Sequence, residues 1–398
     1  MGALDGIRVI DASRVLAGPY CGQIFADNGA EVIKIEPPEG DLNRRFPMLV
    51  DGESTNYLCV NRGKLNCAIN LKVPEGRKLL HQLVTTADIF IQNHLPSAAK
   101  RLGTDYETLR EVNPDLIYVS ISGYGTRGAL KERPGYDQMV NAYCGIMALT
   151  GEADRPPVLP GTSALDMSSG MLAYGGAVSA LLARTRGLSR GQRVDVSLLN
   201  SGLQLLSYKT LNWLVGGAVE ERQGRENDKL VPHGPYHCQD VDLMIGAGPD
   251  AMFGKLCDVI GASHLLEDQR FSTLTGRIAN NTALREVLEA VLAQHSADEW
   301  AARLDLAGVP CAPVNAMNVV LDGEQVRDND MVVKVEQRSS GESMRMPGLP
   351  FEMSDTGGSA GWAPAKVGED TVAVLRRILE FDEATIMRLQ SVGAILVP

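Results

Sequence analysis

Two aspartates stand where their side chains could carry out chemistry. Asp166 lies between a Pro- and Gly-containing loop at 160–163 and a run of small and apolar residues at 170–184 with helical spacing. This spacing predicts that Asp166 is at or near the start of a largely buried helix, where backbone N–H groups and the helix dipole favour an anion. Asp137 follows the loop at 133–136 and opens another predicted helix. Each carboxylate is either a helix cap or an ionised group at the edge of an apolar site, able to act as a nucleophile or base.

Motifs for several other chemistries are absent from the sequence. No G-x-S-x-G elbow joins a predicted strand to a predicted helix, since the match at 357–361 lies in a Gly- and Ser-rich stretch, and the sequence contains no P-loop and no G-x-G-x-x-G in its first strand–helix turn. These absences argue against a serine hydrolase, a P-loop enzyme and the binding of NAD or FAD. Seven cysteines without a C-x-x-C pair indicate reduced thiols. His233 and His237 lie in a stretch broken by Pro and Gly and lack a carboxylate cluster, so we predict no metal site.

Length and net charge limit the number of domains and the kinds of partner to be expected. A chain of 398 residues is too long for one simple core, so about two domains are expected. The formal charge of −11, from 38 Lys and Arg against 49 Asp and Glu, argues against bulk binding of nucleic acid or of an anionic membrane. No signal peptide and no apolar run long enough to span a bilayer are visible, so we expect a cytoplasmic protein.

Strands and helices alternate along the first half of the chain. Strands are predicted at 6–11, 31–36, 67–72, 87–92, 116–122 and 193–198. Helices are predicted at 20–28, 77–86, 97–102, 106–112, 138–150, 170–184 and 199–214. This order is typical of an α/β fold, in which ligands bind at the carboxyl ends of the strands. The fold would therefore bring Arg14–Ala17, Asn93 and His94 to one edge of the sheet.

The composition changes at 220–228, a charged segment punctuated by glycine that we interpret as a linker. Beyond it, the pattern from about 232 to 320 predicts a smaller α+β domain, with 308–314 as an edge segment framed by proline. A helical tail is predicted from 364 to 398.

Segments spread from residue 4 to about residue 395 resemble the family III CoA-transferases, the CaiB/BaiF group. No single segment is decisive, but together the segments make the resemblance specific. They are Leu4–Asp11, Ala17–Pro19, Asp27–Glu36, Gly40–Asp41, Asn61–Lys64, Arg133–Asp137, Arg190–Gln192 and Gly308–Pro310.

The resemblance implies a Rossmann-like large domain that binds CoA, with a smaller α+β domain inserted into it. The expected boundaries are 1–220 for the first part of the large domain, 221–325 for the small domain with its linkers, and 326–398 for the return to the large domain. The resemblance also implies an interlocked homodimer, in which each chain threads through the ring formed by the other.

The same resemblance assigns the site residues. The family's catalytic aspartate falls on Asp166. Acyl-CoA is the implied substrate, with no metal, and the residues implied in binding it are Arg14, Val15, Leu16, Ala17, Ile69, Asn70, Leu71, Lys72, Asn93, His94, Arg101, Leu102 and Asp137.

Two departures from the family pattern narrow the expected substrate. Pro37 stands where a cationic CoA contact can occur, and Lys34, Arg44 or Arg45 are the candidates to compensate. The glycine-rich loop of formyl-CoA transferases has no counterpart at 227–235, which argues against oxalate and formate. Overall the sequence most resembles enzymes that use succinyl-CoA and dicarboxylic acids.

Two alternatives remain open. The related 2-methylacyl-CoA racemases have a histidine before the acid, whereas this chain has Tyr136 before Asp137. The stretch 246–250 also lacks the glutamate expected of a racemase, so a proton base on each face of the substrate is missing and transfer is favoured over racemisation. A catalytically silent acyl-CoA-binding protein would keep the CoA-facing residues, but the presence of Asp166 argues against it.

Overall fold

The computed structural model describes residues 2–225, 227 and 229–398; Glu226 and Asp228, which belong to the predicted linker, lie outside the described residues. The strands are β1 (Arg8–Asp11), β2 (Glu31–Glu36), β3 (Leu49–Val50), β4 (Glu53–Ser54), β5 (Leu65–Ala68), β6 (Ile89–Gln92), β7 (Ile117–Ser122), β8 (Gln192–Ser197), β9 (His233–His237), β10 (Asp242–Gly246), β11 (Cys311–Pro313), β12 (Val332–Glu336) and β13 (Ser343–Pro347).

The α-helices are α1 (Ala17–Asp27), α2 (Thr55–Leu58), α3 (Pro74–Val84), α4 (Pro96–Leu102), α5 (Tyr106–Val112), α6 (Asp137–Cys144), α7 (Ala164–Thr185), α8 (Leu198–Leu205), α9 (Tyr208–Gly216), α10 (Asp250–Val259), α11 (Leu274–Ala279), α12 (Asn281–Leu292), α13 (Ala297–Leu306), α14 (Met317–Leu321), α15 (Glu324–Asp328), α16 (Thr371–Leu379) and α17 (Glu383–Ser391). Short 3₁₀ helices lie at Leu42–Arg45, Met147–Leu149 and Ser263–Leu266. Among the described residues, no helix combines the length and apolar character that crossing a membrane requires.

A six-stranded sheet organises the larger compact unit, which comprises the chain up to Ile146, Leu159–Ala218 and Arg327–Pro398. Its order is β5-β2-β1-β6-β7-β8, and every neighbouring pair is parallel. Apart from Arg8, every residue of the central strands β1 and β6 is buried, as expected of a parallel sheet covered on both sides. The strand order reverses direction between β1 and β6, which is where such sheets bind ligands. The predicted α/β class is confirmed.

Helices cover both faces of this sheet. On one face α1 and α7 pack against β1, β6 and β7, and their buried residues include Cys21, Phe25, Ala173 and Ala177. On the other face α3 and α5 share a core with α16 and α17. Residues far apart in the chain therefore complete one core.

The second compact unit comprises Met147–Val158 and Val219–Val326. Its antiparallel sheet has the order β11-β10-β9, and α10, α12 and α13 bury an apolar face with it around Phe253, Leu288 and Trp300. β11 is an edge strand, as the Pro-framed segment 308–314 predicted.

Several element bounds differ from the prediction for local reasons. The strand predicted at 67–72 ends at Ala68, because the chain leaves the sheet and Asn70 accepts a hydrogen bond from the N–H of Lys72 in a turn. The helix predicted at 199–214 is two helices, divided at Ser207 with φ of 53°. The helix predicted at 138–150 ends at Cys144, because Gly145 takes a left-handed conformation.

Candidate functional site

The start of α7 separates the two roles considered for Asp166. The helix begins at Ala164, so Asp166 lies in its first turn as predicted. The N-cap residue Ser163 makes no side-chain cap hydrogen bond. Instead, Oδ2 of Asp137 accepts the N–H groups of Leu165 at 2.9 Å and Asp166 at 3.0 Å. Asp137, in a neighbouring helix, thus caps α7. The carboxylate of Asp166 therefore does not act as the helix cap.

Asp137 is held rigidly in this position. It is buried in the first turn of α6, and its other oxygen accepts a hydrogen bond of 2.6 Å from Asn141 Nδ2. The preceding loop packs tightly onto the end of β7, since a Cβ on Gly135 would lie 2.9 Å from the Cα of Gly123. Glycine at both positions allows this close backbone approach.

Electrostatics set Asp166 apart from an ordinary surface aspartate. Burial, and then the neighbouring charge of Asp137, raise the pKa of Asp166 to about 7. Burial also raises the pKa of Asp137, against the opposing effect of the two backbone N–H groups and Asn141. Near neutral pH, a substantial fraction of Asp166 is ionised, and that fraction is an incompletely solvated carboxylate, as a carboxylate nucleophile requires.

The small residues of α7 bring Asp166 close to the first strand–helix turn. A Cβ on Gly170 would lie 2.7 Å from the carbonyl oxygen of Ala17, so α7 packs directly on the start of α1. Met167, next to Asp166, packs with Leu16 and Tyr20. The predicted catalytic residue and the predicted loop at 14–17 are therefore parts of one packed region.

A surface cleft lies at the carboxyl ends of β1, β2, β5 and β6. It collects residues that the sequence resemblance assigned to CoA binding. Those that line it are Arg14, Ile69, Asn70, Leu71, Lys72, His94 and Leu102, together with Ala12, Ile35, Glu36 and Pro37.

The remaining predicted residues lie elsewhere. Val15 and Leu16 continue the turn from Arg14, and Ala17 begins α1. Asn93 lies beneath the turn and binds its backbone. Arg101 is exposed on α4, and Asp137 belongs with Asp166; neither lines the cleft.

The loop at 69–72 is fixed by a distant part of the chain. Ile69 forms an isolated antiparallel bridge with Ile395, and the N–H of Asn70 donates to the carbonyl of Ala394 at 2.8 Å. Lys72 is 73% exposed at its side chain and pairs with Glu39 at 2.9 Å. The charge of Lys72 is thus at the surface. A ligand can bind it by displacing Glu39, because an exposed ion pair of this kind is weak.

Two of the three cations expected to compensate for Pro37 cannot do so. Lys34 is fully buried and hydrogen-bonded to the carbonyl of Ser13, and Arg44 is buried between Glu36 and Glu53. The expectation for Lys34 and Arg44 is therefore wrong. Arg45 is exposed and hydrogen-bonded to the carbonyl of Glu39, so it is the candidate that remains.

His94 has an unusual environment at the cleft. Both ring nitrogens are inaccessible to water and have no hydrogen-bond partner among the described residues. Burial, followed by the charges of Arg14 and Lys34, lowers the pKa of His94 to about 4. The imidazole is therefore neutral at physiological pH, with one donor and one acceptor unsatisfied.

Asp41 and Asn43 bind the backbone of the turn at 13–16, a role that no motif in the sequence predicts. Gly40–Asp41 was recognised only as part of the family pattern. In the sequence, Asp41 and Asn43 are two polar residues that follow a strand and Pro37-Pro38. Polar residues are common in turns, so their presence does not indicate which distant backbone groups they bind.

Comparisons with known proteins bear on the family to which the chain belongs. A profile of the CoA-transferase family III matches residues 4–371. The mouse protein named succinyl-CoA:glutarate CoA-transferase is 34% identical, over 99% of this chain and 91% of its own length. The Acetobacter aceti protein named acetyl-CoA:oxalate CoA-transferase is 38% identical, over 89% of this chain and 90% of its own.

Solved structures give the same result. The crystal structure of a CAIB/BAIF family protein from Brucella suis superposes with a TM-score of 0.87 at 34% identity, covering 95% of this chain and 99% of that one. The match of profile, sequence and structure extends over nearly the whole chain, and we conclude that it belongs to the CoA-transferase family III and is a CoA-transferase.

Proposed function

We propose that this enzyme moves CoA from succinyl-CoA to a dicarboxylic acid, with Asp166 as the nucleophile. The observation that carries the proposal is the division of labour between two carboxylates. Asp137 caps α7, and Asp166 is a partly buried carboxylate whose pKa is raised to about 7 by burial and by the charge of Asp137. The substrate class is supported by the names of two relatives, the mouse succinyl-CoA:glutarate CoA-transferase and the Agrobacterium fabrum succinate–glutarate CoA-transferase.

The first half-reaction loads the enzyme. A carboxylate oxygen of Asp166 attacks the thioester carbonyl of the donor, and the C–S bond breaks to give a mixed anhydride and CoA thiolate. The thiolate then attacks the aspartyl carbonyl, and the donor leaves as a free carboxylate. Asp166 is left as an aspartyl-CoA thioester, with no net change in protons.

The second half-reaction reverses these steps with the acceptor. The acceptor carboxylate attacks the aspartyl thioester, which releases CoA thiolate and forms a second mixed anhydride. Attack of the thiolate on the acceptor's carbonyl carbon yields the new acyl-CoA and restores the Asp166 carboxylate. Orientation and partial desolvation of Asp166 matter because a carboxylate is a poor nucleophile in water.

The cleft at the strand ends is proposed to hold CoA. Arg14 and Lys72 supply positive charge there for phosphate groups, and apolar Leu71 and Leu102 line the same cleft. The neutral His94 lines the same cleft, and its buried, unsatisfied ring nitrogens could bond CoA only if binding opened access to them.

A homodimer is part of the proposal. Helix α9 has no buried residue, and Tyr208, Leu211, Trp213, Leu214 and Val215 are each more than half exposed. Several large apolar residues exposed on one helix mark an interaction surface. A second copy of the chain is the expected partner, since the family resemblance implies an interlocked dimer.

A reducing compartment such as the cytoplasm is also proposed. The seven cysteines form no disulfide with one another. Free, mostly buried thiols are typical of proteins kept under reducing conditions.

The test of this function is the intact mass of the protein after incubation with succinyl-CoA, followed by peptide mapping. An adduct on Asp166 that disappears on adding glutarate, together with a new acyl-CoA, is expected. Asp166→Ala should abolish the adduct and the transfer while CoA binding is retained, and the exposed Asp154→Ala is the matched control. Oxalate should be assayed in parallel, because the Acetobacter aceti relative is named for it.

The same experiment separates the alternatives. Substantial transfer by Asp166→Ala would refute the proposed nucleophile. Incubation with a 2-methylacyl-CoA in deuterated water tests for racemisation, and deuterium at the α-carbon without transfer would favour it. Binding of CoA esters with neither adduct nor exchange would favour a silent binding protein.

A further inference from the structure

The turn that follows β1 contains a strained residue. Val15 has φ of 67°, a left-handed conformation that is rare for any residue other than glycine and especially unfavourable for a β-branched side chain. Such a conformation persists only where the surrounding structure determines it. The contacts of this turn therefore identify what holds it.

Side chains from two other segments occupy the backbone of Arg14 and Val15. Asn93 accepts the N–H of Arg14 at 2.9 Å and donates to its carbonyl at 2.7 Å. Asp41 Oδ2 accepts the N–H of Val15 at 3.3 Å, and Asn43 Nδ2 donates to the carbonyl of Val15 at 2.8 Å. All four backbone polar groups of the two residues are thus bound by the protein itself.

The binding side chains are themselves fixed. Asp41 is 1% exposed, its second oxygen accepts the N–H of Asn43 at 3.0 Å, and its carboxylate lies 3.6 Å from Lys34 Nζ. Asn43 is also 1% exposed, and its amide donates a second hydrogen bond to the carbonyl of Asn56. Lys34 additionally donates to the carbonyl of Ser13. The turn thus rests on a buried polar network whose members hold one another.

We propose that Asp41, Asn43 and Asn93 form a clamp that fixes the Arg14–Val15 turn in its left-handed conformation before CoA binds, which makes Asn43 a positioning residue for CoA. The inference rests on the proposed function in one respect, since it takes this turn to contact CoA. In this proposal the turn already has its final conformation when CoA binds. The backbone N–H groups of Arg14 and Val15 are already used, so CoA would contact the turn through other groups, such as the Arg14 side chain.

The test is a double-variant rescue. Asn43→Ala removes the donor to the Val15 carbonyl without leaving a buried charge. Strain of this class corresponds to roughly 5- to 150-fold in the population of the strained conformer. We therefore expect Asn43→Ala to raise the Kd for CoA and the KM for succinyl-CoA at least about 5-fold, with kcat changed much less.

Glycine adopts the left-handed conformation without strain, so adding Val15→Gly to Asn43→Ala should recover most of the lost affinity. The matched control is Val15→Ala in the same background, which removes the branched methyl groups but keeps the Cβ. Rescue by glycine and little rescue by alanine supports the clamp. Unchanged CoA binding by Asn43→Ala, or equal rescue by alanine and glycine, overturns it.

Hydrogen exchange on the unaltered protein gives a second readout that needs no variant. A peptide covering residues 13–17 should be protected without CoA, because the N–H groups of Arg14 and Val15 are bound by side chains. Exchange as fast as in an open loop overturns the clamp even if Asn43→Ala fails to fold. An unaltered protein that binds no CoA would instead contradict the proposed function, while protection of the peptide would still support the clamp.

Discussion

Replacing Asp166 by Asn should stabilise the protein, and more so at high pH. The native carboxyl has its pKa raised from 3.8 to about 7, whereas in the unfolded chain it titrates near its usual value. Between these two values the native state keeps a proton that the unfolded state releases, so stability falls as the pH rises through this window. The penalty is complete above pH 7. Asn is nearly isosteric and uncharged, and the backbone hydrogen bond to Asp137 is retained.

The size of the effect follows from the pKa. At about 1.36 kcal/mol per unit, the full shift corresponds to roughly 4 kcal/mol at pH 8. Asp166 is only partly buried, and solvent screening reduces the figure to about 1–2 kcal/mol. Somewhat more than half of this free-energy penalty develops between pH 5 and pH 8. The difference in unfolding free energy between Asp166→Asn and the natural protein should therefore grow by about 1 kcal/mol across that interval.

Urea unfolding at pH 5 and pH 8 measures this difference. The control is Asp154→Asn, which changes an exposed aspartate and should leave stability nearly unchanged at both values. Transfer activity should be lost in Asp166→Asn and kept in the control. If Asp166→Asn is no more stable than the natural protein at pH 8, or its advantage does not grow with pH, the view of Asp166 as a desolvated charge is refuted.

Two further predictions concern the carboxylate cap and the surface cation. Asp137→Ala leaves two N–H groups at the start of α7 without their acceptor, so unfolding should become easier by about 1–3 kcal/mol and kcat should fall. Calorimetry and steady-state kinetics check this, and an unchanged kcat would contradict a positioning role for Asp137. Lys72→Ala should raise the KM for succinyl-CoA by roughly 5-fold and weaken its salt dependence, for a loss of about 1 kcal/mol. Glu39→Ala removes its ion-pair partner and should lower the KM; no effect of either variant would make Lys72 an ordinary surface charge.

Local sequence predicted the parts of the fold that local forces determine. The bounds of β2 are those predicted, and Asp166 lies at the start of a helix because small and apolar residues follow it at helical spacing. The family resemblance then grouped residues such as Arg14, Lys72 and His94, which do line one cleft.

Contacts across long stretches of chain could not be predicted in this way. Asp137 and Asp166 looked alike in the sequence, and only the packing of α6 beside α7 shows that one caps the helix that carries the other. The left-handed Val15 has no local signal, since valine is among the residues least suited to that conformation. Its cause lies in Asp41 and Asn43, which follow a different strand.

The attachment of the loop at 69–72 to Ala394 and Ile395 has a consequence during synthesis on the ribosome. At roughly 5–20 residues per second, about a quarter of a minute to a minute separates the emergence of the loop from that of its partner. During this interval the apolar residues that later pack against α16 and α17, among them Leu79 and Leu80, lack their covering. The smaller unit emerges within the same interval. The larger unit is therefore the later of the two to finish folding, and its nascent form is the state in which a chaperone would be most needed.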